Sequence, residues 1–399
     1  MNGSSAELNE LLTPAAVRNR SRVLFDRALE GQGHFRIRME KLREVADLVV
    51  KVTLENYPDL NIPFHSRFGH FRAGGIDRLA IVFDSLQVPD RIEQARLKIE
   101  LAIVSVLLDA GAGMAWSYPD PFSPGTALTK SEGLAVASLE MFWRGRFHSK
   151  GLPGADGQGL KHFSTRDLVK GFWVSDSNPL LGVEGRVSLL NRLGEIFGDS
   201  RPGILLDEWL SEARDGTIAA EKILKTVLLR LGPIWPGRIE LNGVNLGDCW
   251  EHPALGAPGT PSSLIPFHKL SQWMSYSLME PLMELGLRIR DLDAMTGLPE
   301  YRNGGLLLDS GLIELKDERD REREHTPGSE LILEWRALTV TLLDQIGNEV
   351  REILGKNREE LPLVRILEGG TWHAGRRLAA RLRSDGGPPL KLLSDGTVF

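Results

Sequence analysis

Residues Thr13–Gly31 read TPAAVRNRSRVLFDRALEG, a stretch that carries its own start and stop signals. Thr13 is a helix N-cap residue whose hydroxyl accepts a backbone N–H. Pro14 occupies the first helical position, where its missing N–H costs nothing, and Gly31 supplies the left-handed backbone that ends a helix. The same pattern recurs outward along the chain. Leu42, Val45, Val49 and Val52 share one face of a second amphipathic helix that stops near Asn56-Tyr57-Pro58. A long helix is predicted over Arg91–Leu108, closed by Ala110-Gly111-Ala112-Gly113. Others are predicted over Leu134–Phe147, Glu184–Phe197, Thr217–Leu231, His268–Leu285 and Glu330–Leu354, with capping-box spacing at Ser164-Thr165-Arg166-Asp167. Strand signals are short: Arg238-Ile239-Glu240-Leu241 beside Asn242-Gly243, and the terminal stretch Leu390 to Val398. The expected fold class is mainly α, multi-helical, with few short strands.

Length and composition bound what such a fold does. At 399 residues the chain exceeds a typical single domain. Two helical lobes are expected, 1–150 and 160–399, or else one continuous unit; the glycine-rich run Gly151–Gly159 (GLPGADGQG) is the candidate connection. A hydrophobic fraction of 42% excludes global disorder, and a net charge of -6 argues against wrapping nucleic acid or binding an anionic membrane. The single cysteine, Cys249, precludes an internal disulfide. No zinc spacing and no HExxH occur, and no metal or organic cofactor is implied. The polar, acidic start Met1–Glu10 is unlike a secretory signal, and no apolar run approaches the roughly 18 residues that span a bilayer, so the cytoplasm is the expected compartment. P-loop, GxSxG and strand-linked GxGxxG signatures are absent. The charge run Asp317–His325 reads as solvated surface.

Chemistry is concentrated in local clusters. The segment Asn61–Gly75, NIPFHSRFGHFRAGG, interleaves His65, Arg67 and His70 with aromatics, as a phosphate clamp or a stacking surface would, or as a surface loop packed by its own rings. Asp109 closes an apolar helix beside glycines, with Trp116 following; it is either a structural hydrogen-bonder or a ligand contact. His268 and Lys269 open a helix, where a cation is disfavoured by the macrodipole yet helps build an anion site; a snorkelling lysine is the alternative. The densest cluster holds Asp293, Glu300, Tyr301 and Arg302 beside Gly304-Gly305, with little helical character. A carboxylate next to a Tyr-Arg pair suits a general base or an oxocarbenium stabiliser, or a structural ion pair. Glu334 and Arg336 place two charges inside an apolar helix, where each needs a partner. Glu368-Gly369-Gly370-Thr371 reads as a backbone anion site or as a docked helix.

At these residues the sequence resembles a known family. The blocks SVLLDAGAGMAW, SEGLAVASLEMF, LGPIWPGRIELNGVNLGDCW, FHKLSQW, TGLPEYRNGGL, LEWRALTV and EGGTWHAGR look like those of the bacterial and fungal uracil catabolism protein four family, from about Arg36 to the C-terminus. That resemblance implies a pathway that accompanies a uracil phosphoribosyltransferase and urea-degrading enzymes, and that passes through a ribosylated urea. A fainter similarity, in VLLDAGAGMAW, NPLLGVEGRVSLLNRLG, FHKLSQ, RDLDAMTGLPEYR and EWRALT, is to the queuosine-salvage nucleoside glycosylases. It implies a helix-hairpin-helix DNA-glycosylase-like fold and a pocket around Asp109, Lys269, Glu300, Tyr301, Arg302, Glu334 and Arg336. This chain departs from that family at Glu300, where an aspartate stands, and at Ser277, where another aspartate stands.

Together the resemblances imply an N-ribosyl hydrolase acting on a small nucleoside- or nucleotide-like molecule, with no nucleic acid and no membrane as partner. Glu300 would stabilise the sugar cation or activate water. Tyr301, His268 or Asp109 would assist the leaving group, and Arg67, Lys269 and Arg302 would hold phosphate or ribose hydroxyls. His65, His70, Trp116, Asp293, Glu334 and Arg336 complete the expected substrate contacts. An amidohydrolase or deaminase of a ring-opened uracil nucleotide, a non-catalytic sensor of a pathway intermediate, and a nucleic-acid glycosylase are the alternatives.

Overall fold

The computed structural model describes residues 3–109, 111–113, 115–235 and 239–393. It is mainly α, with short two-stranded pairings at the edges. The Pro14–Leu29 helix begins as its sequence dictates, with the Thr13 hydroxyl accepting from the Ala16 N–H at 3.1 Å. The Glu330–Leu354 helix is the axis of the C-terminal half: its apolar faces pack on Pro14–Leu29, on Leu42–Asn56 and on Tyr301–Asp309. Lys269–Glu284 lies against Arg91–Leu107 on one side and Ala220–Arg230 on another. One cluster of buried side chains runs from Leu11 to Leu390 and draws on both halves of the chain. Among the described residues, no helix is long and apolar enough to cross a membrane.

Several elements differ from the pattern-based reading. The Asn61–Gly75 segment contains a helical turn, Arg67–Phe71, capped by the Ser66 hydroxyl and pinned by buried Phe68 and Phe71. The helix expected to start at Leu134 starts at Lys130. Thr217–Ala219 is not helical but pairs in parallel with Arg288–Arg290, and the helix runs over Ala220–Arg230. The charge run is not wholly solvated, because Asp320 and His325 are buried, with Glu324–His325 paired to Lys391–Leu392. The Asn242-Gly243 turn does close a hairpin, Glu240–Leu241 on Val244–Asn245, with both turn residues at positive φ. Ala110, Arg238 and residues 394–398 of the expected elements lie outside the described residues.

The glycine run Gly151–Gly159 is tightly packed. Glu100 accepts the Ala155 N–H at 3.0 Å, Gly157 donates to the Ser200 carbonyl at 2.8 Å, and Asp156 caps the Gly157–Lys161 turn. Gly145 faces this run at φ +68°, and a Cβ there would meet the Gly151 carbonyl oxygen at 2.2 Å. Clash and left-handed strain act together, so Gly145→Ala should cost about 2–4 kcal/mol in urea denaturation without changing the secondary-structure content.

Candidate functional site

Segments from both halves of the chain meet around a cavity of ≈ 320 Å³, within the range of small-molecule sites. Its lining includes His65, His70, Asp109, Lys269, Glu300, Tyr301 and Arg302, so seven of the residues singled out from sequence converge there. Trp273, Trp335 and Trp372 supply flat apolar wall, and Asp385-Gly386-Gly387 supplies one rim.

Glu300 is placed by its own helix. It is the N-cap of Tyr301–Asp309: Oε2 accepts from the Arg302 N–H at 2.7 Å, and Oε1 accepts from the Asn303 N–H at 2.6 Å. Both oxygens are therefore fixed as acceptors, and the residue is 7% exposed. Trp335 Nε1 donates to the Gly304 carbonyl at 3.0 Å, and a Cβ on Gly304 would lie 2.7 Å from the indole. The glycine lets the helix approach Trp335, which in turn faces the cavity. Arg302 donates to the Gly386 carbonyl at 2.7 Å and lies 4.8 Å from the centre of the Tyr301 ring, so it ties the rim to the wall.

Lys269 opens the Lys269–Glu284 helix, where its backbone N–H is capped by Asp248 at 3.0 Å. Its ammonium has no hydrogen bond among the described residues. Burial pushes it below the usual lysine range, and the charges of Glu300 and Asp109 oppose that push. Both carboxylates thus act on one ammonium. Tyr301 feels the same pair, and burial raises its phenol above the ordinary value.

The cavity floor is polar and incompletely satisfied. Arg67 is fully buried, donates to Ser105 Oγ at 2.7 Å and to the Ser131 carbonyl at 3.2 Å, and stands 3.0 Å from Asp109 Oδ1. Arg67 Nη2, Asp109 Oδ1, His70 Nδ1 and Trp273 Nε1 all have no hydrogen-bond partner among the described residues. Four such atoms in one place are unusual in a folded interior and mark a surface built to meet a polar molecule. Burial, then the Arg67 charge, holds His70 below the usual histidine range. Ser277 accepts the Arg67 backbone N–H at 2.9 Å.

Other expected contacts do not reach the cavity. Trp116 is fully buried, donates to the Phe172 carbonyl at 2.9 Å and stacks on Tyr118. His268 is buried with Nε2 against the Leu11 carbonyl at 2.9 Å. Asp293 pairs with Arg351 and caps the Leu363 N–H at 2.7 Å. Glu334 accepts from the His34 backbone at 2.6 Å and holds its ring. Arg67 lies beneath the floor, and Arg336 lies behind the wall. Arg336 grips Asp248 with two bonds of 2.8 and 2.7 Å and donates to the Pro299 carbonyl at 3.3 Å. It therefore positions both Lys269, through Asp248, and Glu300, through Pro299.

Sequence reading missed Lys130, Ser131, Trp273, Trp335, Trp372 and the Asp385–Gly387 rim as lining. The three tryptophans stand inside the blocks FHKLSQW, LEWRALTV and EGGTWHAGR, which was the available signal. Asp385–Gly387 offered none.

Comparison with known proteins finds similarity over nearly the whole chain. Residues 10–399 match the model of the family described as Protein of unknown function (DUF1688). Protein urg3 of Schizosaccharomyces pombe is 40% identical over 372 residues, which are 90% of each chain. Uracil catabolism protein 4 of Lachancea kluyveri is 35% identical over 429 residues, covering 96% of this chain and 97% of the yeast protein.

Proposed function

We propose, because the chain belongs to the DUF1688 family and shares most of its length with a protein named for uracil catabolism, that it is an enzyme of uracil catabolism. The reaction proposed is hydrolysis of the N-glycosidic bond of ribosylurea or its 5′-phosphate, giving urea and the free sugar.

The observation that carries this reading is Glu300, a carboxylate held by two backbone N–H groups at the edge of an aromatic-walled cavity. Cleavage of an N-riboside passes through a sugar cation at the anomeric carbon, and a fixed negative charge beside that carbon favours the transition state over the ground state. The two backbone bonds hold both oxygens of this carboxylate in fixed positions. Asp109, Lys269 and Arg302 present a mixed polar surface suited to ribose hydroxyls and to a 5′-phosphate. The tryptophan walls suit the apolar face of the sugar and the planar urea.

The test is direct. Purified protein incubated with ribosylurea and with its 5′-phosphate should release urea and reducing sugar in equal amounts, followed by mass spectrometry. Ammonia without urea would favour an amidohydrolase of a ring-opened nucleotide. Saturable binding without turnover would favour a sensor.

A further inference from the structure

Urea is a poor leaving group, and the residue that gives it a proton is not evident from the Glu300 side of the cavity. His268 does not line the cavity, Asp109 faces Arg67, and burial makes the Tyr301 phenol a weaker acid than usual. The opposite wall holds a better group. His65 is 6% exposed, lines the cavity and places Nδ1 2.8 Å from Glu368 Oε2. The other oxygen of Glu368 accepts from the Tyr57 hydroxyl at 3.2 Å, so the carboxylate is fixed at both ends. A carboxylate only accepts, so Nδ1 carries a proton and the ring is locked in one orientation. Its Nε2 edge has no hydrogen bond among the described residues and is left for a bound molecule.

The backbone around Glu368 explains the Gly-Gly of the EGGTW block. Leu367–Thr371 forms a π-helical turn, a distortion often found at functional sites. A Cβ on Gly370 would come within 2.5 Å of Thr53 Oγ1 and Val49, so only glycine lets this turn seat on the Leu42–Asn56 helix. Thr371 Oγ1 donates to Asn303 Oδ1 at 2.9 Å, which fastens the same turn to the helix that Glu300 caps. The glycines serve to carry Glu368 beneath His65 in register with Glu300. Burial works to raise Glu368, but the His65 hydrogen bond outweighs it and brings the carboxyl below the usual carboxylate range.

We propose that the His65–Glu368 pair is the proton donor to the departing nitrogen, with His65 the catalytic residue and Glu368 the positioning residue; this rests on the glycosidase reading. The C1′–N bond breaks with its electron pair going to the urea nitrogen, which takes the Nε2 proton of the His65 imidazolium. Water bonds to C1′ and releases a proton to solvent, and the imidazole regains one from solvent. The sum is ribosylurea plus water giving ribose plus urea.

The experiment uses N-ribosyl ureas whose departing nitrogen carries increasingly electron-withdrawing groups. Wild-type kcat should change little across the series. His65→Gln should lower kcat on the parent compound by on the order of 10²–10³-fold and recover as the leaving group improves, because a stable leaving anion needs no proton. Glu368→Gln should steepen the same dependence, with a smaller loss and little change in KM. Parallel dependences in wild type and His65→Gln would overturn this assignment alone. Wild-type protein that releases no urea from any member of the series would overturn the glycosidase reading and this assignment with it. If His65→Gln fails to fold, [15N]histidine spectra of the wild type decide: the His65 Nε2 signal must shift when urea and ribose are added together, and an unmoved signal overturns the assignment.

Discussion

Glu300→Gln should reduce urea release from ribosylurea by on the order of 10³-fold in kcat, with the fold retained. Two effects of this substitution can be separated by size and by observable. The side chain is an N-cap that accepts two backbone N–H bonds. A glutamine keeps one acceptor oxygen, so the cap loses about 1 kcal/mol of stability, read by thermal unfolding. Removing the charge removes about 4 kcal/mol of transition-state stabilisation for a 10³-fold effect, read in kcat. A variant that unfolds only slightly earlier yet turns over a thousandfold more slowly has lost chemistry. Equal small losses in both would mean that Glu300 is a cap and nothing more. Glu300→Asp is the informative partner. It preserves charge and capping while drawing the carboxylate back by one methylene, so it should retain measurable activity.

The helix that Glu300 caps also shows where sequence reasoning stops. Glutamate is not among the favoured cap residues, Pro299 precedes it and Gly304-Gly305 follow, so the local signals read as a loop. The Tyr301–Asp309 helix exists because Gly304 lies against Trp335 of a distant helix, a contact that no local pattern encodes. By contrast Glu330–Leu354 was legible to its ends, since its apolar period is long and Gly355 follows in the left-handed region. The site divides in the same way. Asp109, Lys269, Tyr301 and Arg302 were legible as polar groups set in apolar or glycine-rich sequence. Asp293 and Glu334 shared that signature but are engaged by Arg351 and by His34, which lie 58 and 300 residues away. A charge in an apolar helix announces that it needs a partner, not whether the partner is a ligand or another side chain.

Arg336 is the sharpest instance of that ambiguity, and its substitution should be strongly destabilising. Arg336→Met leaves Asp248 buried with its main counter-charge gone, a loss of about 3–5 kcal/mol at pH 7 read by urea denaturation. The pH dependence identifies the cause. Burial raises Asp248, but the Arg336 charge and hydrogen bonds outweigh it and hold the carboxyl down to about 2, below its usual 3.8. A depressed carboxyl stabilises the fold above pH 3.8, and that contribution fades as the pH falls toward 2. Without Arg336, burial acts with less opposition and the sign turns: a carboxyl raised above its unfolded value destabilises increasingly as the pH rises past 4. The gap between wild type and Arg336→Met should therefore narrow from pH 7 toward pH 4. A gap that stays constant with pH would assign the loss to packing on Phe267, whose ring centre lies 4.1 Å from the guanidinium. Because Asp248 caps the Lys269 N–H and Arg336 holds the Pro299 carbonyl, the same variant should also bind substrate more weakly even under conditions where it remains folded. Asp248→Asn tests the route. It keeps the cap and much of the hydrogen bonding, so it should restore part of the stability of Arg336→Met in the double variant while costing stability on its own. That crossing of signs is the result expected of a buried pair whose task is to hold Lys269 and Glu300 in place.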